Sequence, residues 1–228
     1  MKMRGRRPKT VILANGAFPS HEAPLAALRD AERVVCCDGA VDKLEAAGFP
    51  PPEWIVGDLD SLSAAARARC ADRLVRVAEQ DTNDLAKAFR FCVSRGWHDL
   101  LIVGATGLRE DHTLGNLSLL ADFACELRAA AGECPPRRED GIVLLTDTGI
   151  FTPVLASTQF RSHAGQQVSV FAFEPGAAVY AEGLKYPLDG VRFARWWQAA
   201  LNESAGDSFK LVFEGSPLLV FQAYEMSH

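Results

Sequence analysis

Carboxylates recur in four short clusters, each placed after a brief apolar run. They are Asp38-Gly39, Gly57-Asp58-Leu59-Asp60-Ser61, Gln80-Asp81-Thr82-Asn83-Asp84, and Gly104-Ala105-Thr106-Gly107-Leu108-Arg109-Glu110-Asp111-His112. Like charges gathered in one cleft repel and raise each other's pKa. A divalent cation among them removes that penalty. Oxygen-only ligands select a hard cation, and Mg²⁺ commonly keeps waters and also binds substrate phosphates. Asp58 and Asp60 flank Leu59, and in an extended segment both carboxylates point to one face. Asp81, Asp84 and Lys87 recur every three residues, the spacing of one helix face. Lys87 and Arg109 are the cations placed to meet phosphate oxygens while acids hold the metal.

Each residue alone has a plainer use. Asp81 and Asp111 are suited to capping the helices that follow them, Asp58 to a turn, Gly104 and Gly107 to tight turns, and His112 to a helix's first turn. Singly, Lys87 and Arg109 read as solvated surface charges. A site therefore requires that the elements bring the clusters together.

From Thr10 to Val103, short apolar runs alternate with helical patterns. Strands are predicted at 10–14, 33–37, 54–56, 74–78 and 100–103, with helices at 21–31, 40–47, 63–70 and 82–95. The last of these carries the clearest stripe, Leu85, Ala88, Phe89, Cys92 and Val93, at helical spacing. A long helix from about 112 to 131 follows, with Asp111 placed to start it and Gly132 to end it. Alternating strands and helices predict a parallel sheet with right-handed crossovers. Ligands of such sheets bind at the carboxyl ends of the strands, where all four clusters fall.

The pattern changes at Glu133-Cys134-Pro135-Pro136-Arg137-Arg138-Glu139-Asp140-Gly141, two prolines followed by a charge run. Beyond it, strand-like segments at 142–145, 167–173, 209–213 and 218–223 are separated by turn residues. The expected organisation is a basic tail over 1–9, an α/β domain over 10–132, a linker over 133–141 and an all-β, sandwich-like domain over 142–228.

The chain has 228 residues, 48% hydrophobic and 23% charged, ordinary for a globular protein. Net charge is −5, yet residues 1–10 hold five basic residues and no acid. The acidic remainder argues against tracking a nucleic-acid backbone. Of the six cysteines none forms a CxxC pair, and most lie in apolar stretches. No apolar run approaches a membrane span or a signal-peptide core. A reduced, cytoplasmic protein with no nucleic-acid or membrane partner is expected. Neither GxxxxGK[ST] nor GxGxxG occurs, nor HExxH, GxSxG or Cys/His zinc spacing.

Over about residues 10–125 the chain resembles the thiamine pyrophosphokinase family. The stretches that carry the likeness are Cys37-Asp38-Gly39-Ala40, Gly57–Ser61, Gln80-Asp81-Thr82-Asn83-Asp84-Leu85-Ala86-Lys87-Ala88 and Gly104–Asn116. Less distinctive are Gly183-Leu184-Lys185-Tyr186-Pro187-Leu188 and Asn202-Glu203-Ser204. The resemblance implies an α/β catalytic domain followed by a β-sandwich domain, and a homodimer with each active site between two subunits. It implies transfer of the pyrophosphoryl group of ATP to the thiamine hydroxyl, with Mg²⁺.

Carried over residue by residue, Asp58, Asp60 and Asp84 hold the metal. Asp81, Lys87, Arg109 and Asp111 bind or orient the triphosphate and the reacting hydroxyl. Asp38, Thr106, His112 and Asn116 join the ligand-binding set, and Gln80 and Asn202 face thiamine. Trp196, Trp197 or Tyr186 would stack on the cationic ring. Three positions depart from the family's pattern: Asn83 stands for a usual Thr, Leu108 for a frequent Gly and Leu201 for a usual Ser. Two alternatives are a pyrophosphokinase for a pterin alcohol, which would use the same acids, and a non-catalytic nucleotide or thiamine sensor, against which the full acid set argues because a sensor need not retain every metal ligand.

Overall fold

The computed structural model describes residues 10–130 and 141–225. The basic tail, Gly132, Cys134 and the proline-containing segment lie outside the described residues.

The first half alternates as the periodicity predicts: β1 (Thr10–Leu13), α1 (Glu22–Asp30), β2 (Arg33–Cys37), α2 (Ala40–Ala46), β3 (Trp54–Gly57), α3 (Ala64–Arg69), β4 (Leu74–Arg76), α4 (Asp84–Ser94), β5 (Asp99–Val103) and α5 (Glu110–Ala130). The strands are all parallel, in the order β5-β1-β2-β3-β4. β1 is central, with Leu13 opposite both Cys36 and Val103.

Period-two alternation splits this sheet between two cores. Ile12, Val35, Cys37 and Val56 face α4 and α5, where Phe89 stacks on Phe123 at 4.0 Å between ring centroids. Val11, Leu13, Cys36 and Ile55 face α1, α2 and α3, with Leu28, Leu44 and Ala66. Both faces are covered, which is why these strands read as continuous apolar runs.

The second half contains β6 (Gly141–Leu145), β7 (Gly149–Val154), β8 (Thr158–Arg161), β9 (Gln167–Ala172), β10 (Ala178–Glu182), β11 (Val191–Arg192), β12 (Ala199–Glu203), β13 (Ser208–Phe213) and β14 (Leu218–Ala223). β6 extends the first sheet, pairing parallel with β5 on one side and antiparallel with β7 on the other. One ten-stranded sheet results, ordered β12-β9-β14-β7-β6-β5-β1-β2-β3-β4. A four-stranded antiparallel sheet, β11-β10-β13-β8, packs on its antiparallel end. Val168, Val170, Leu218 and Val220 of the large sheet share a core with Val179, Phe209, Leu211 and Phe213 of the small one. The expected class, α/β then antiparallel β, is the observed one. The break in composition at 133–141 does not interrupt the sheet, because β6 keeps the parallel direction before the chain turns back.

Candidate active site

Parallel pairing of β1 through β6 puts the segments after these strands on one edge. Asp38 follows β2, Asp58 follows β3, and Asp84 opens α4. Carboxylate oxygens of these three lie within 4.8 Å of one another. Gly57 permits the approach, since a Cβ there would stand 3.0 Å from Asp38 Cβ and 3.1 Å from Asp84 Oδ1.

Asp38 is the buried member, 1% exposed, with left-handed backbone at φ 39°. Its Oδ2 accepts from the backbone N–H of Ser61 at 2.9 Å, while Oδ1 is buried with no hydrogen-bond partner. Burial, reinforced by the charges of Asp84 and Asp58, pushes its carboxyl up, against the lowering effect of the Ser61 hydrogen bonds. An orphaned carboxylate oxygen costs free energy. Beside two further carboxylates it fits a hard cation.

Asp58 behaves oppositely. Its Oδ1 accepts from the backbone N–H of Asp60 at 3.1 Å, which draws its carboxyl below the usual range, and Gln80 Nε2 reaches Oδ2 at 3.4 Å. That bond corrects the extended reading of 58–60. Leu59 has φ 68°, so the segment is a turn, and its side chain is buried rather than pointing away from two parallel carboxylates. Asp60 is exposed and stands outside the 4.8 Å trio.

The second cluster also folds differently in detail. Asn83, not Asp81, caps α4: its Oδ1 accepts from the backbone N–H of Ala86 at 3.0 Å. Asp81 therefore lies before the helix and does not share its face with Asp84 and Lys87. The turn holding it is built by Glu79, whose carboxylate accepts from the backbone N–H groups of Asp81 and Thr82 and from the Thr82 hydroxyl. Lys87 is 4% exposed, with Nζ 3.3 Å from Asp84 Oδ1 and 3.9 Å from Asp58 Oδ2. It is the cation built into the acid cluster rather than a surface charge.

A cleft of about 360 Å³ meets this cluster at Asp84 and is lined also by Asn15, Gly16, Thr106, Arg109 and His112. Arg109 is exposed and folds onto Asp111, donating at 3.1 and 2.6 Å. This pairing holds the Asp111 carboxyl below its usual range. Asp111 lies in the first turn of α5, which already begins at Glu110. Asn116 is nearly buried between α4 and the loop after β5.

The opposite wall is the loop after β1. Gly16 N–H donates to Gly104 O, and a Cβ at Gly16 would meet that oxygen at 2.4 Å. Lys43 of α2 donates to the carbonyls of Asn15 and Gly16 at 2.9 and 2.7 Å. Asp147, between β6 and β7, accepts from Ser20 N–H, the Ser20 hydroxyl and His21 N–H. Neither Lys43 nor Asp147 carries a motif, because their partners are distant in sequence.

Asn202 is elsewhere. It is buried on β12, where its amide accepts from Tyr186 N–H at 3.1 Å and donates to Tyr186 O at 2.8 Å. Beside it Leu201 is 87% exposed at φ 59°. Tyr186, Trp196 and Trp197 are each about half exposed. β12 is eight strands from β3 across the sheet, roughly 30–40 Å at ~4.8 Å per strand. Within one chain, Asn202 and the acid cluster cannot touch one molecule of thiamine's size.

Comparison with known proteins agrees with both halves. Residues 25–129 match the sequence model of the thiamin pyrophosphokinase catalytic domain, and residues 149–221 that of the thiamin pyrophosphokinase substrate-binding domain. No curated protein sequence matches the chain significantly. Among solved structures, a thiamin pyrophosphokinase family protein from Enterococcus faecalis superposes with TM-score 0.75 at 23% identity, covering 96% of this chain and 100% of its own. The thiamine pyrophosphokinase from Bacillus subtilis gives 0.75 at 21%, covering 96% and 100%. That from Candida albicans gives 0.74 at 14%, covering 95% and 90%. These likenesses show the shared fold. With the catalytic and substrate-binding models matched in order along one chain, the protein belongs to the thiamin pyrophosphokinase family of transferases.

Proposed function

We propose that the protein transfers the pyrophosphoryl group of ATP to the hydroxyl of thiamine, giving thiamine diphosphate and AMP. The observation that carries this reading is the trio Asp38, Asp58 and Asp84, with Lys87 built in, at the head of a cleft reaching Arg109. Residues 10–132 are assigned the ATP and metal chemistry, and 142–228 the thiamine pocket.

Asp38, Asp58 and Asp84 would hold Mg²⁺, with Asp60 at the rim. The ion supplies charge neutralisation for triphosphate oxygens and the leaving phosphate. The thiamine oxygen forms a bond to the β-phosphorus, the bond from that phosphorus to the α,β-bridging oxygen breaks, and AMP leaves with the electron pair. Catalysis of such a transfer is mostly positioning and charge stabilisation. Lys87 offers a point charge to nonbridging oxygens, and Arg109 a fork once it swings from Asp111. The hydroxyl proton passes to a carboxylate at the cleft mouth. Asp81 and Asp111 are the two candidate acceptors, Asp111 already accepting from Arg109 and from His112 N–H. Gln80, hydrogen-bonded to Asp58, borders the acceptor side, while Thr106 and His112 line the nucleotide side.

The separation between Asn202 and the acids favours a homodimer, in which β12 of one copy faces the cluster of the other. Exposed Trp196, Trp197 and Leu201 then have a surface to cover, and a tryptophan is available to stack on the thiazolium. The five described cysteines are free thiols, four of them buried, which suits the reducing cytoplasm.

Product analysis tests the reading. With ATP, Mg²⁺ and either thiamine or a hydroxymethylpterin, thiamine diphosphate and AMP are expected in equal amounts from thiamine alone. A pyrophosphorylated pterin would move the acceptor. ADP in place of AMP would overturn the reaction type.

A further inference from the structure

We propose that Asn116 is a positioning residue. With Asn83 it forms a one-way amide strut that fixes the acid-bearing end of α4 against the loop that carries Thr106 and Arg109. The proposal rests on the cleft between them being the Mg·ATP site.

The strut is a chain of three hydrogen bonds. Ala86 N–H donates to Asn83 Oδ1 at 3.0 Å, Asn83 Nδ2 donates to Asn116 Oδ1 at 3.0 Å, and Asn116 Nδ2 donates to Ala105 O at 2.8 Å. Its direction is determined at every link. The N–H of Ala86, one of the unpaired donors in the first turn of α4, needs an acceptor, so Asn83 must turn its oxygen to the helix and its nitrogen outward. Asn116 must then present its oxygen to Asn83, which leaves its nitrogen for the Ala105 carbonyl. A carboxamide accepts through its oxygen and donates through its nitrogen, so each asparagine links two partners in this order. An acid at 116 would set two acceptors face to face.

What the strut joins is the cleft itself. Asp84 and Lys87 follow Asn83 directly, and Thr106 and Arg109 follow Ala105. Asn83 and Asn116 both line the cleft between them. α4 and α5 are packed deeper down by Phe89 on Phe123, six and seven residues beyond the two asparagines. That stack leaves the upper ends of the helices to be spaced by something else. Asn116 is 9% exposed and both ends of its amide are engaged. Its part is to hold Asp84 of one wall at a set distance from Thr106 and Arg109 of the other, not to grip the nucleotide.

Two variants separate the strut from the cap and from general stability. Asn83→Ser keeps a capping hydroxyl but lacks the outward nitrogen, and Asn116→Asp keeps shape and loses the donor to Ala105. Each is measured for Tm, for Mn²⁺ affinity without nucleotide, for Mg·ATP affinity by calorimetry, and for thiamine-dependent AMP release. Each is expected to lose Mg·ATP affinity and kcat by on the order of 10–100-fold, since misplacement of positioned groups costs that much. KM for thiamine and Mn²⁺ affinity should stay within about twofold. The double variant should be no worse than the poorer single one, because both break one chain. Mg·ATP affinity within about twofold of wild type, or losses that add, would overturn the strut. A wild type that binds Mg·ATP but releases no AMP with thiamine defeats the functional reading alone, and the affinities still decide the strut. A wild type that binds no ATP defeats both.

Discussion

Lys87 Nζ lies 3.3 Å from Asp84 Oδ1, three residues back along α4, and 3.9 Å from Asp58 Oδ2. A nearly buried cation thus offsets part of the charge of the acid cluster. Removing one partner of such a pair leaves the other uncompensated. Lys87→Met is expected to destabilise the protein by about 1–3 kcal/mol in chelator, discounted for the partial exposure of both acids. Added Mg²⁺ should restore part of that loss, so Mg²⁺ raises Tm more in the variant than in wild type. Thermal unfolding with and without Mg²⁺ checks this, and equal shifts would refute it.

Leu13 is 1% exposed in the central strand, between β2 and β5. Leu13→Asp places an unpaired charge there, at a cost comparable with a domain's whole stability of ~5–15 kcal/mol. No folded, soluble protein is expected by circular dichroism and gel filtration. A soluble, active variant would contradict the sheet assignment.

Asp147 pins the loop after β1 through Ser20 and His21. Burial would raise its carboxyl, but hydrogen bonds from His21 and Ser20 outweigh that and hold it below the usual value. The sign follows: this stabilisation is present above the ordinary Asp value of about 3.9 and is lost as pH falls through the lower folded value. Asp147→Asn should cost about 1 kcal/mol near neutral pH, after screening at an exposed site. The gap to wild type should narrow as the solution is acidified below that value. Denaturant unfolding across pH reads it, and a gap independent of pH would exclude the charge.

If β12 of one copy completes the site of another, inactive subunits should complement. Mixed dimers of Asp84→Asn and Asn202→Ala contain one intact site of two. Random assortment makes half the dimers mixed, so reassociation should recover about a quarter of wild-type activity. No recovery, from proteins that demonstrably exchange subunits, would place Asn202 outside the site.

The edge on which the chemistry gathers was legible because doubly covered strands read as short apolar runs, each followed by its polar cluster. Asp38, Asp58, Asp84 and Lys87 could be singled out for that reason. The capping residue of α4 was not legible, since Gln80 through Asp84 is one polar run with several residues able to cap. The turn at Leu59 was hidden because leucine rarely adopts positive φ. The proline and charge run at 133–141 looks like a boundary, and no local signal tells that β6 rejoins the parallel sheet. Lys43, Asp147 and the Asn83–Asn116 link were invisible because their partners lie 27 to 127 residues away.

The most direct measurement is thiamine-dependent AMP release from Mg·ATP by wild type and by Asp58→Asn, with unfolding curves for both. The account predicts AMP only when thiamine is present. It predicts a loss on the order of 10²-fold or more in the variant, with its fold intact. AMP release that ignores thiamine, or an Asp58→Asn protein that is folded and as active as wild type, would contradict it.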